Sequence, residues 1–343
     1  MLALDELRLL VVVDNETDGL SSVDAGVPQI SELVQLAMRT APSAEYDGHP
    51  CTVVFDKVCC AGHGLSVLVT GRRGDEEHAV LFDVGPYADL WLGNARRLGI
   101  ELSRIEAIFL SHWHFDHSGA LPEVVAAVAA ARRAAGHGAP VVVDLHPDRP
   151  DQRGVLVPTG MLVMLAPEPT FEAIEQAGGR LALHTDDHEL CEGFFFGSGA
   201  IERVTPYETG LVGHHSVRGG RLDPDPLIMD ERFLAAEVRG RGVTVLSACS
   251  HAGVVNACLG ATTRFPDSPI DVVLGGYHLA GALMEPRIEP TVRDLRDRVR
   301  PRVVAPGHCT GWRAKAALAA AFAPGRYGPS VVGSLYLLEA GAA

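Results

Sequence analysis

Apolar strands that end in histidine or aspartate, set between alanine-rich helices, predict an α/β protein whose sheets open onto a shared polar site. Short β-branched runs recur along the chain, and each is followed by a polar turn. Residues 121–135, almost all Ala, Val and Arg, have the length and composition of a helix. In the C-terminal half the runs 242–246, 271–274 and 302–305 each lead into a turn that carries a histidine, namely His251, His278 and His308. Sheets whose strand ends converge on one place explain that recurrence.

Taken in order, residues 9–13 read as a first strand that ends in Asp14-Asn15-Glu16-Thr17. Residues 21–60 are mixed in composition, with a helical pattern near 30–38, and read as an insertion: a lid over the site or a peripheral contact. Residues 65–69 and 79–83 are strands joined by the charged turn 71–78, for which a hairpin is the natural connection. Residues 87–98 should form a short helix, 107–110 a strand, 121–135 the clearest helix and 140–144 the next strand. Further strands are expected at 180–184, 199–205, 242–246, 271–274 and 302–305.

The strand at 107–110 runs into Ser111-His112-Trp113-His114-Phe115-Asp116-His117. A strand end would deliver His112 and His114 on alternate positions, so both side chains point toward one cation. Asp116 and His117 extend the cluster around the turn. Imidazole nitrogens with one carboxylate suit zinc, manganese or iron, whereas calcium and magnesium prefer all-oxygen shells.

Composition excludes other classes. The chain has 343 residues, 47% of them hydrophobic and 21% charged, as expected of a globular protein with a substantial core. A formal charge of −14 argues against a nucleic-acid surface, which would show clustered Lys and Arg. No apolar stretch approaches the roughly 20 residues of a membrane span. The start, Met1 to Glu6, lacks the basic region of a signal peptide, so a cytoplasmic location is the default expectation. Seven scattered cysteines are not a disulfide framework. Cys258 and Cys309 read as buried small hydrophobes, as does Cys249 unless it binds metal.

His112-Trp113-His114-Phe115-Asp116-His117 fits the HxHxDH signature of the metallo-β-lactamase superfamily, which the chain resembles from about residue 9 to its C-terminus. Leu81-Phe82-Asp83-Val84-Gly85 resembles the family's strand ending in an Asp-x-Gly turn. His63-Gly64-Leu65-Ser66, Cys249-Ser250-His251-Ala252-Gly253 with Asn256, Gly275-Gly276-Tyr277-His278-Leu279 and Pro306-Gly307-His308-Cys309-Thr310-Gly311 are similar to the branch of class II metal-dependent hydrolases. Some members of that branch are called 7,8-dihydropterin-6-methyl-4-(ribofuranosyl)aminobenzene-5'-phosphate synthases.

The resemblance implies a single domain over residues 1–343, an αββα sandwich of two mixed β-sheets flanked by helices. It implies one or two divalent transition metal ions, zinc first. His112, His114 and His251 would hold the first ion, and Asp116, His117 and His308 the second. The family's bridging aspartate is missing: the corresponding strand ends in Ala248-Cys249, and Asp230 stands where a histidine is usual. Cys249 or Asp230 is therefore a candidate ligand. Asp116 would also orient the attacking water, and His278 would serve the leaving group. Arg203 could pair with a substrate phosphate and Glu208 could face the pocket. His63, His146, His214 and His215 belong to no comparable strand-end group, and His214-His215 reads as a loop.

The expected function is a metal-dependent hydrolase acting on a small, phosphorylated or cyclic molecule. The alternatives are a transferase that joins a pterin to an aminobenzene ribotide, and a non-catalytic metal-dependent sensor. No nucleic-acid or membrane partner is expected.

Overall fold

The computed structural model describes residues 1–157 and 159–341. Two mixed sheets pack face to face. The larger contains, in spatial order, Gly179–Leu183, Val141–Leu145, Ile105–Phe109, Glu76–Phe82, Ser66–Arg73, Glu6–Val13, Leu335–Glu339 and Gln29–Ile30. The other contains His188–Leu190, Phe195–Gly197, Leu234–Val238, Gly242–Ser247, Ile270–Gly276 and Val303–Gly307.

The alternation of side chains along each strand builds the layers. Leu9 and Val11 of the first strand face the other sheet, where they share a core with Phe82, Phe109, Leu234, Leu246, Val272 and Val303. Val12 points the other way, into a second core with Trp91, Leu98, Val124 and Val128 of the helices Ala88–Leu98 and Leu121–Ala134. On the far side, Val243, Val245 and Val273 bury against the helices Val254–Arg264 and Trp312–Phe322. The order is therefore helix, sheet, sheet, helix.

Strand direction positions the site. Glu76–Phe82, Ile105–Phe109 and Val141–Leu145 are mutually parallel, so Asp83 and the 111–117 loop leave one edge of the larger sheet together. Gly242–Ser247, Ile270–Gly276 and Val303–Gly307 are likewise parallel, which brings Cys249, His278 and His308 to one edge of the second sheet. Asp83, Ser250, His278 and His308 all adopt left-handed backbone conformations just past strand ends. Strain of this kind costs on the order of 1–3 kcal/mol per residue and persists where the surroundings over-determine it.

Two expectations are corrected and the placing of a third is narrowed. Residues 199–205 form no strand, because the strand ends at Gly197 and the chain then loops, with Val204 N and Thr205 N both donating to Asn256 Oδ1. His214-His215 is not a loop but the start of the strand His214–Arg218. With Gln152–Leu156, Leu162–Met164 and Arg221–Pro224 that strand makes a small antiparallel sheet beside the site. Finally, residues 21–60 lie at the edge of the larger sheet: Gln29–Ile30 pairs with the C-terminal strand, and Glu32 Oε1 accepts from Cys59 N. No residue of this segment lines the site cavity.

Candidate metal centre

Five histidines, an aspartate and a cysteine meet where the two sheets open. Asp83 organises the first half of the group. Buried at the strand end, it accepts from Ser111 N at 2.7 Å, from Ser111 Oγ at 2.8 Å and from His117 Nδ1 at 2.8 Å. The Ser111 hydroxyl, having donated to Asp83, is left to accept from His112 Nδ1 at 2.8 Å. The Nε2 atoms of His112 and His117 are thereby freed of protons and turned inward.

Asp230 and Arg153 hold the backbone between these histidines. Asp230 Oδ2 accepts from Trp113 N at 2.7 Å, and Arg153 Nη1 donates to Trp113 O at 2.7 Å while Nη2 pairs with Asp230 Oδ1 at 2.5 Å. Asp230 thus braces the loop through a buried ion pair and lies outside the metal-competent groups, which corrects its candidacy as a ligand. Glu231 does the same for the other sheet, accepting from His251 N and Ala252 N at 2.7 and 2.6 Å.

His308 is set by Asp14, whose Oδ1 accepts from its backbone N at 2.7 Å, and by Asn15 Oδ1 at 2.9 Å from its Nδ1. A Cβ on the preceding Gly307 would come within 2.3 Å of Asp14 Oδ2, so only glycine admits this approach.

Two donor sets result. His114 Nδ1 lies 3.0 Å from His112 Nε2 and 3.1 Å from His251 Nε2. A single ring nitrogen carries one proton or one lone pair and cannot satisfy both neighbours. A cation at the centre does, since ligands at ~2.0–2.1 Å around a tetrahedral ion stand about 3.3 Å apart. The second set is Asp116, His117, His308 and Cys249. Asp116 Oδ2 is 3.5 Å from His117 Nε2 and 3.4 Å from His308 Nε2, and Cys249 Sγ is 3.2 Å from each of those nitrogens. Cys249 also groups with His112 and His251, so its sulfur is shared by the two sets. The residues present fit one or two divalent transition metals.

Asp116 and the first set carry charges that agree with this assignment. Burial opposes protonation of His117 and His308, but Asp116 with Asp83 raises the one and Cys309 with Asp116 the other, so a cation would displace protons there. Burial raises the Asp116 carboxyl, but His117 and His308 outweigh it and hold the group ionised well below the usual carboxylate range. Burial drives His112, His114 and His251 far below the ordinary histidine range, leaving neutral rings with a lone pair to give. Burial raises the Cys249 thiol, so binding through sulfur would release a proton.

The site opens into a cavity of about 840 Å³. Val155, Val163, Leu165 and Leu211 form its apolar wall, and Tyr87, Phe115 and Trp312 its aromatic rim. His278 lines it as well, its ring 4.4 Å from that of His251 and its Nδ1 without a partner. No Lys or Arg lines it among the described residues.

The two expected substrate residues are elsewhere. Arg203 donates to Leu227 O and contacts Met229 Sδ outside the cavity. Glu208 is buried at the start of the helix Val254–Arg264, where it accepts from Val255 N and Asn256 N at 3.0 Å and from Thr205 Oγ1 at 2.9 Å. It caps that helix instead of facing substrate. Two histidines set aside in the sequence do belong here. His63, 70% exposed, lines the cavity with Nε2 3.5 Å from Asp116 Oδ2. His214 lines it from the small sheet and touches His114. The His63-Gly64 stretch shared with the branch pointed toward the first, but nothing local pointed toward the second. His146 and His215 serve local backbone contacts, from Asp148 N and to Gly213 O.

A model of the metallo-beta-lactamase superfamily matches residues 61–308. The chain is 30% identical over 256 residues to the 7,8-dihydropterin-6-methyl-4-(beta-D-ribofuranosyl)-aminobenzene-5'-phosphate synthase of Methanocaldococcus jannaschii, an alignment spanning 74% of this chain and 82% of that protein. It also superposes on the solved structure of Tm1679, a metal-dependent hydrolase of the beta-lactamase superfamily, with a TM-score of 0.65 at 23% identity, covering 98% of this chain and all of that one.

Proposed function

The chain belongs to the metallo-beta-lactamase superfamily, and from that premise we propose that it is a metal-dependent hydrolase of a small, uncharged molecule with an apolar or aromatic part. The observation that carries this reading is a cavity with ample metal-competent donors at its floor, an apolar wall and an aromatic rim, whose described lining residues include no Lys or Arg. The cations beside it are engaged, Arg313 on the Trp312 ring and Lys315 with Glu16. A phosphorylated substrate normally meets Arg or Lys, which can pair with its oxygens. Of the phosphorylated or cyclic substrate that the sequence suggested, this reading keeps the cyclic alternative.

A divalent ion, zinc first, held by His112, His114, His251, Asp116, His117, His308 and Cys249, would supply Lewis acidity and make water acidic enough to yield hydroxide near neutrality. The chain's own groups complete the chemistry. Asp116, kept ionised, orients the water and accepts its proton. His278, with a free Nδ1 in the cavity, gives a proton to the leaving group. Tyr87, Phe115 and Trp312 hold a flat or apolar moiety by stacking and burial.

Parallel panels of esters, lactones and phosphodiesters, assayed with zinc and with manganese, test the reading. Turnover of neutral esters or lactones above phosphodiesters is expected. Absence of turnover on every panel despite full metal loading would overturn hydrolysis and leave the transferase or the non-catalytic sensor.

A second reading follows from the name of the archaeal relative: a transferase joining a pterin to an aminobenzene ribotide. The aromatic rim suits a pterin ring, but no Lys or Arg among the described lining residues is there to pair with the phosphate. Consumption of a pterin diphosphate that depends on the aminobenzene partner would establish it in place of hydrolysis.

A further inference from the structure

We propose that His214 is a positioning residue of the metal centre: by accepting the Nε2 proton of His114, it holds that ring in the tautomer that leaves Nδ1 free for a cation. The inference rests on the metal-dependent reading above.

The order of protons is fixed from the outside in. His214 Nδ1 lies 2.7 Å from the carbonyl oxygen of Asp225, which only accepts, so Nδ1 carries the proton and Nε2 a lone pair. His214 Nε2 lies 2.9 Å from His114 Nε2, so His114 must donate there. A neutral ring that donates from Nε2 has its lone pair on Nδ1, the atom that faces His112 Nε2 and His251 Nε2. The remaining nitrogens of His112, His117 and His308 are oriented by Ser111, Asp83 and Asn15. His214 does for His114 what those groups do for their rings.

The placement is rigid. His214 is buried, and Asp225 N donates back to its carbonyl oxygen at 2.9 Å, closing the pair. Its strand pairs with Gln152–Leu156, from which Arg153 reaches Trp113 O, Asp225 and Asp230. The small sheet therefore grips two adjacent residues of the metal loop, Trp113 by its backbone and His114 by its ring. The same sheet carries Val155 and Val163 of the apolar wall, so cavity wall and metal ligand are set by one element.

Zinc affinity of the metal-free full-length protein, measured by chelator competition without substrate, tests this, together with the visible spectrum of the cobalt-loaded form. Loss of such an outer hydrogen bond typically weakens metal binding about 10–100-fold. His214→Ala should fall in that range with a changed cobalt spectrum. His214→Gln, whose amide oxygen can still accept from His114, should recover to within a few-fold of the native affinity. His215→Ala, on the same strand, should bind like the native protein. The proposal is overturned if His214→Ala binds zinc within two-fold of the native protein, if His214→Gln is as weak as His214→Ala, or if His215→Ala loses as much. Native protein that binds no zinc would instead refute the metal reading on which the inference rests.

Discussion

At the scale of single residues, most of the site's order comes from groups that would never touch substrate. Asp83 is the clearest: one buried carboxylate fixes Ser111, through it His112, and His117 directly. Asp83→Ala should lower metal affinity about 10–100-fold, read by chelator competition, because two ligand rings lose their orientation together. Cys249 makes a different prediction. Its sulfur stands 3.2 Å from both His117 Nε2 and His308 Nε2, so the cobalt-loaded protein should show a thiolate charge-transfer absorption that Cys249→Ser abolishes. Retention of that absorption in the serine variant would remove Cys249 from the ligand set.

At the scale of elements, the helix Val254–Arg264 shows how a site is braced from behind. Glu208 caps its first turn, and Gly253 precedes it with φ +103. A Cβ at Gly253 would stand 2.1 Å from the Glu208 carboxyl carbon, so Gly253→Ala combines backbone strain with a clash and should cost about 2–3 kcal/mol in denaturant unfolding. Burial raises Glu208 to about 7, more than its N–H donors lower it. The native state then binds its proton more tightly than the unfolded chain does. Its stabilising contribution is full below the unfolded value near 4.5 and is lost as pH rises through about 7. Glu208→Gln should flatten the fall of melting temperature between about pH 4.5 and 7. A residual slope is expected from Glu168, which burial also raises to about 7.

At the scale of the whole molecule, the donor sets draw on both sheets: His112, His114, Asp116 and His117 from one, Cys249, His251 and His308 from the other. A cation there gathers donors from both sheets that meet only in the native chain, so it should stabilise the fold by mass action, by up to about 2.7 kcal/mol at 100 times its dissociation constant. For a chain of this length that is a rise of roughly 4 °C in melting temperature, abolished by chelator. No helix among the described residues is long and apolar enough to cross a membrane. The α/β class and the strand-end histidines were legible in the sequence because both are written in local patterns, alternation within a strand and a polar turn directly after it, whereas the sandwich layering was implied by the family resemblance. His112, His114, Asp116 and His117 were legible for the same reason, being neighbours in the chain. The small sheet was not, since its strands are only three to five residues long and partly exposed, and the one wholly apolar strand, Leu162–Met164, is too short to show an alternation. Nor could local pattern place Glu208 behind a helix, turn Asp230 toward Arg153, or bring His214 against His114 across a hundred residues. Periodicity and spacing tell which residues leave a strand together; which of those side chains then meet depends on long-range packing, and that alone sets each ring's partner and the proton it keeps.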